Sequence, residues 1–231
     1  MQFPETNWTV LALATMNGGQ DEAKALNALC QQYWKPVSTF IASRGAPSAR
    51  IDDLTQDFFL QLMNKGFFRK ASRDKGTFRS FMLGSLRYFL ADDARRNSAQ
   101  KKGGHLERAP LFEDSATIEA PDEEFDTAWA ELIFEKVYER VREETIQMRS
   151  QATWELLETF LPGAAEPVGY ATLASHLGVS EGGAKSEVFR LRKRMKEALR
   201  AEVGQTVSAP HEIDDELAHL RAALEKGAKP L

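Results

Sequence analysis

Apolar residues recur along this chain at intervals of three and four, the period of helices that bury one face, and strand-like alternation is absent. The pattern predicts a short helix over 9–16, ended by Asn17-Gly18-Gly19, and a long one over 21–43. In the long one, Ala25, Leu29, Tyr33, Val37 and Phe40 fall near i, i+4 spacing. A break at Arg44-Gly45-Ala46-Pro47 precedes a helix over 51–64, and a basic loop over 70–76 precedes one over 77–100. Residues 105–121 lose the period, contain Pro110 and Pro121, and read as a linker. Trp129, Ile133, Val137 and Val141 then mark a helix over 125–148, and another over 153–161 stops at Pro162-Gly163.

The sharpest local pattern lies over 170–200. Leu173 and Leu177 give a first short helix its apolar face, and Ala174 is small where two helices must cross closely. Gly178 sits where the turn needs positive φ. Val179 is expected to point into the core, and Ser180 to cap the next helix. Ala184, Val188 and Leu191 continue at helical spacing, while Lys185, Arg190, Arg192, Lys193, Arg194, Lys196 and Arg200 make that helix basic. A helix-turn-helix whose second helix carries a polar first turn and many cations suits the major groove and its phosphate walls. Lys185 and Ser186 are best placed for base edges, with Arg190 at the groove margin and Arg192, Lys193 and Arg194 on phosphates; Ser180, at the start of that helix, is counted with the DNA-binding residues.

After a second linker over 204–210, Ile213, Leu217, Leu220 and Leu224 form a stripe too apolar to leave in water. The last helix is therefore expected to pack on one of two domains. Asp214, Asp215 and Glu216 in its first turn suit the helix dipole, or else face the basic stripe and compete with DNA. The fold class is all-α, two small helical domains plus a tail. The boundaries are 1–19 for an N-terminal arm, 20–104 and 125–203 for the domains, 105–124 for the linker and 204–231 for the extension.

Charge sharpens the functional reading. The 231 residues sum to −4, but ten cations stand against three carboxylates between Arg69 and Lys102, a balance of +7. Between Lys185 and Arg200 seven stand against two, or +5, whereas Glu113 to Glu144 holds twelve carboxylates against three cations, or −9. Local charge governs attraction to a polyanion. Cys30 is the sole cysteine, so no intrachain disulfide forms and a reducing cytoplasm is expected. The N-terminus lacks a basic-then-apolar leader, and no apolar run reaches membrane-spanning length.

Two stretches of the first domain remain. In DDLTQDFFLQLM, Asp53, Gln56 and Asp57 share one helical face, while Leu54, Phe58 and Leu62, or Phe59 and Met63, face the core. By itself that acidic trio reads as a helix N-terminus favoured by its dipole. In GTFRSFMLGSLRYFLADDARR, Arg79, Arg87, Arg95 and Arg96 interleave with Phe78, Phe81, Tyr88 and Phe89. Rings beside cations suit single-stranded nucleic acid, although most of these rings recur at core spacing and at most one or two should reach a base.

Together, DDLTQDFFLQLM, GTFRSFMLGSLRYFLADDARR and YATLASHLGVSEGGAKSEVFRLRKR resemble the extracytoplasmic-function (ECF) sigma factors of the sigma-70 superfamily, over about residues 20–104 and 125–203. Local matches at TNW, AQKKGG and 202–220 resemble a subgroup with a short C-terminal extension. The resemblance implies a subunit that binds core RNA polymerase and recognises and melts promoter DNA. It makes Asp53, Gln56 and Asp57 the contact to the clamp of the largest subunit, with the flap of the second subunit as a further partner. Arg79, Arg87, Arg95 and Arg96 would hold the single-stranded non-template minus-ten strand, with 70–76 where a flipped base is captured. The helix-turn-helix would read the minus-thirty-five duplex. Glu187 stands where the family is often basic, and Gly182-Gly183 loosens the start of that helix. The free chain would be a monomer, and an anti-sigma protein is a further candidate partner.

Nothing in the sequence assembles catalysis. His105, His176, His211 and His219 show no metal-ligand spacing, and no phosphate-binding loop is present. Asp52, Asp53 and Asp57 as a nuclease's cation site lack a partner from a third element. No cofactor and no metal is expected. The alternative is a stand-alone helix-turn-helix regulator, which would bind symmetric duplex sites as a dimer without polymerase.

Overall fold

The computed structural model describes residues 20–63, 76–101, 122–164 and 166–227. The expected helix over 9–16, most of the basic loop and the linker over 105–121 lie outside them. Among the described residues the chain is all-α: α1 Gln20–Ser43, α2 Ser48–Met63, α3 Phe78–Lys101, α4 Glu123–Met148, α5 Gln151–Glu158, α6 Tyr170–Leu177, α7 Glu181–Gly204 and α8 Ile213–Gly227. They fall into two compact units. One holds the described residues of Met1–Leu132 with those of Val203–Leu231; the other is Ile133–Glu202.

The first unit is built on aromatic rings at the spacing the sequence marked. Tyr33 of α1 stacks on Trp129 of α4 at 4.5 Å between centroids, Phe78 of α3 lies 5.3 Å from Tyr33, and Phe125 meets Phe40 edge-on at 6.0 Å. Tyr33, Phe40, Phe78, Phe125 and Trp129 are buried. Full burial of such a side chain contributes about 1.5–3 kcal/mol before ordering entropy is subtracted, so the start of α4 is anchored in this core. On α2, Leu54, Phe58, Phe59 and Leu62 all face inward.

The last helix packs here too. Leu220 and Ala223 are buried, and Ile213, Leu217 and Leu224 are half-buried. Glu216 joins the buried face. Thr127 Oγ1 donates to the carbonyl of Ala223 at 3.3 Å, and Gly227 comes so near Thr127 that an added Cβ would stand 2.5 Å from its Cγ2.

The second unit packs Trp154, Leu157, Leu173, Ala184, Val188 and Leu191 against Val137 and Val141. Ser150 caps α5 by accepting from the Thr153 amide at 3.1 Å. Between α6 and α7, Gly178 takes φ 65° and ψ 34°, the left-handed turn the sequence called for. Ser180 Oγ then accepts from the Gly183 amide at 3.2 Å and caps α7. Val179 departs from expectation: it is 44% exposed. Its amide bonds back to the carbonyl of Ala174 at 3.1 Å, and its side chain lies over Gly183, where a Cβ would come 3.0 Å from the valine Cβ. The turn directs the valine across α7 rather than under it, and Gly183 leaves room for that approach.

Candidate nucleic-acid interface

α7 presents its cations because its apolar residues are committed to the core. Ala184, Val188 and Leu191 are buried, which leaves Lys185, Ser186, Phe189, Arg190 and Lys193 exposed. Lys185 Nζ stands 5.5 Å from the Tyr170 ring centroid, near enough for a cation–π contact. Ser186 Oγ donates to the Gly182 carbonyl at 2.9 Å, and Ser180 is engaged as the cap.

Arg190 is held rather than loose. Its Nη2 lies 2.9 Å from Glu187 Oε1 and its Nε donates to Oε2 at 3.3 Å, while Arg149 Nη2 donates to the same Oε1 at 2.7 Å. The hydrogen bond from Arg190 first, and then the charges of Arg190, Arg149 and Arg194, lower the Glu187 pKa against the opposing effect of burial. Arg149, Glu187, Arg190, Lys193 and Arg194 wall a cavity of about 460 Å³. Lys193 also approaches Glu197 at 3.8 Å, a pair exposed on both sides.

Arg192 is placed differently from its neighbours. Its Nη2 and Nε donate to the Phe160 carbonyl at 2.7 and 3.2 Å. It lines a second cavity of about 760 Å³ with the apolar side chains of Phe134, Val137, Leu161, Met195 and Leu199. Tyr138 at its edge donates to Glu158 at 2.6 Å, and burial, followed by that bond, pushes its phenol up to about 12.

In the first unit, α3 carries the four arginines assigned to single-stranded DNA, and each meets a carboxylate. Arg79 is buried between Asp126 and Glu216, at 2.6 and 2.7 Å. Burial alone would lower its pKa, but the bonds and charges of Glu216 and then Asp126 outweigh it and leave the value raised. Arg87 Nη2 stands 3.6 Å from Asp122, which also receives Arg44. Arg95 and Arg96 meet Asp92 on their own helix at 2.7 and 3.1 Å. Phe78 and Phe89 belong to the core, so Phe81 and Tyr88, both half-buried, are the rings left for a base.

On α2, Asp53 and Gln56 are exposed, Asp57 is half-buried, and Leu60 extends that face at 51% exposure. Sequence reasoning passed over Leu60 and Phe189, which is 68% exposed. Both were detectable as apolar residues off their helix's buried stripe. Arg149 lies outside the helix-turn-helix and carried no such signal.

The family model for the ECF sigma factor matches residues 10–201 of the chain. No curated protein and no solved structure matches it. Among the described residues no helix is long and apolar enough to cross a membrane.

Proposed function

The chain belongs to the ECF sigma factor family, whose members bind RNA polymerase as promoter-specific initiation factors, and from that premise we propose how it divides the work. The exposed face of α7 reads the minus-thirty-five duplex. Lys185 and Ser186 reach base edges, Phe189 about one turn further along offers an apolar surface to a thymine methyl, and Ser180 sets the entry of the helix. Arg190 lies at the groove margin, and Lys193 and Arg194 are the candidates for phosphates, while Arg192, bonded to the Phe160 carbonyl, serves the fold instead.

Arg79, Arg87, Arg95 and Arg96 on α3 serve the melted non-template strand. Asp53, Gln56 and Asp57, with Leu60, dock on the polymerase clamp. The apolar cavity around Phe134 and Met195 has the chemistry to receive an amphipathic helix, which suits the flap. The chain acts without catalysis of its own.

One observation carries the reading: an exposed cationic face on the helix that follows the left-handed Gly178 turn, in a chain whose family match spans both units. Run-off transcription with purified core polymerase tests it. A promoter-dependent transcript only when the chain is added supports initiation. Specific duplex binding as a dimer, with no effect on polymerase, would replace it by the stand-alone regulator.

A further inference from the structure

Arg79 cannot serve a DNA strand in the state described above. Its side chain is 8% exposed, and those of Asp126 and Glu216 are 4% and 3% exposed. Glu216 reaches it from α8 with two contacts, Nε to Oε1 at 2.7 Å and Nη2 to Oε2 at 3.2 Å, and Asp126 Oδ1 accepts from Nη1 at 2.6 Å. The segment leading into α8 is tied to the same end of α3. The Phe78 amide donates to the Thr206 carbonyl at 2.7 Å, and Ser208 Oγ donates to the Gly76 carbonyl at 3.1 Å.

The charges at this junction are lopsided. One guanidinium faces two carboxylates, so the Arg79–Asp126 pair is already neutral without Glu216. Burying a further carboxylate costs desolvation that stability alone does not require. His219 Nε2 also lies against the cluster, 3.0 Å from Asp126 Oδ2. An acidic side chain bidentate on an arginine also offers what a phosphodiester would offer.

We propose that α8 is an intramolecular latch, whose Glu216 occupies Arg79 in the free chain and must leave before Arg79 can take a phosphodiester of the single-stranded promoter. The inference rests on the reading of α3 as the single-strand site and names its regulation. A latched chain binds the strand only through its unlatched fraction, so its apparent affinity falls in proportion to that fraction.

The close approach of α8 to α4 allows the latch to be locked. A Cβ at Gly227 would stand 3.4 Å from that of Thr127, near the ~3.5–4.5 Å found across disulfides. The double variant Thr127→Cys, Gly227→Cys should therefore close a disulfide. Cys30 stays out of exchange, because burial pushes its thiol up to about 11.

The probe is a labelled single-stranded oligonucleotide titrated with the full-length double variant, oxidised and then reduced. Roughly tenfold weaker binding by the oxidised form is expected, recovered on reduction, because locking removes the competent fraction. Glu216→Gln in the otherwise native chain should tighten binding to the same oligonucleotide without lowering the melting temperature. Equal binding by the two redox forms, or none by either, overturns the latch. So does a Glu216→Gln protein that melts earlier and binds no better, since the pair is then structural. Run-off transcription stands apart: a chain that shows redox-dependent strand binding but never transcribes keeps the latch and loses the initiation reading. A chain that transcribes while both redox forms bind alike keeps initiation and loses the latch.

Discussion

Arg149 and Glu187, 38 residues apart in sequence, meet at 2.7 Å on the face of α7 that carries Arg190. A carboxylate among cations proposed to meet DNA repels the polyanion unless it also organises them. Here it holds two guanidinium groups at the rim of one cavity.

That geometry predicts two separable effects. Arg149→Ala should lower the salt dependence of duplex binding by about one ion, the mark of a lost phosphate contact. Glu187→Ala should raise affinity for all sequences through charge while blurring discrimination at the base pair nearest Arg190. Uniformly tighter binding with unchanged discrimination would reduce Glu187 to a charge. The pH dependence follows from its lowered pKa: the pairing is present above the unfolded carboxylate value and is lost as pH falls through the lower folded value. A carboxyl titration followed by NMR checks that direction.

Lys185 and Phe189 are expected to change which promoters work rather than how tightly all of them bind. Lys185→Ala should alter the preferred minus-thirty-five sequence across a promoter library. Phe189→Ala should abolish the difference between thymine and uracil at one position, because the methyl is the group an exposed ring can sense. Indifference of the native chain to that methyl would remove Phe189 from the base-reading set.

Arg192 separates stability from DNA binding. Its two donors to the Phe160 carbonyl predict that Arg192→Ala costs about 1 kcal/mol of stability with little change in the salt slope. Thermal melting and a salt titration on the same protein decide it. A slope lower by about one unit, at unchanged stability, would assign Arg192 to a phosphate instead.

Asp53 and Asp57 are expected to meet protein rather than DNA. Replacing both by Lys should weaken association with core polymerase by charge reversal, while helicity stays constant because Leu54, Phe58 and Leu62 still hold the inner face of α2. Undiminished affinity in a titration with core would move the docking surface elsewhere.

The period of apolar residues was enough to place α2, α3, α4 and α7, and the Gly178 turn with its Ser180 cap could be read residue by residue. These features depend on neighbours within a turn or two, where backbone sterics and side-chain spacing act. The distribution of cations over α3 and α7 was legible for the same reason. Which cations remain available was not. Arg79 is closed by Glu216, 137 residues away, and Arg192 by a carbonyl 32 residues earlier. Val179 was read inward and lies outward because one left-handed residue redirects the chain. The apolar stripe of the last helix announced that it would pack, but not that its first-turn carboxylate would be buried on an arginine. Pairings of that kind depend on how distant segments meet in space, and only the packed tertiary structure decides them.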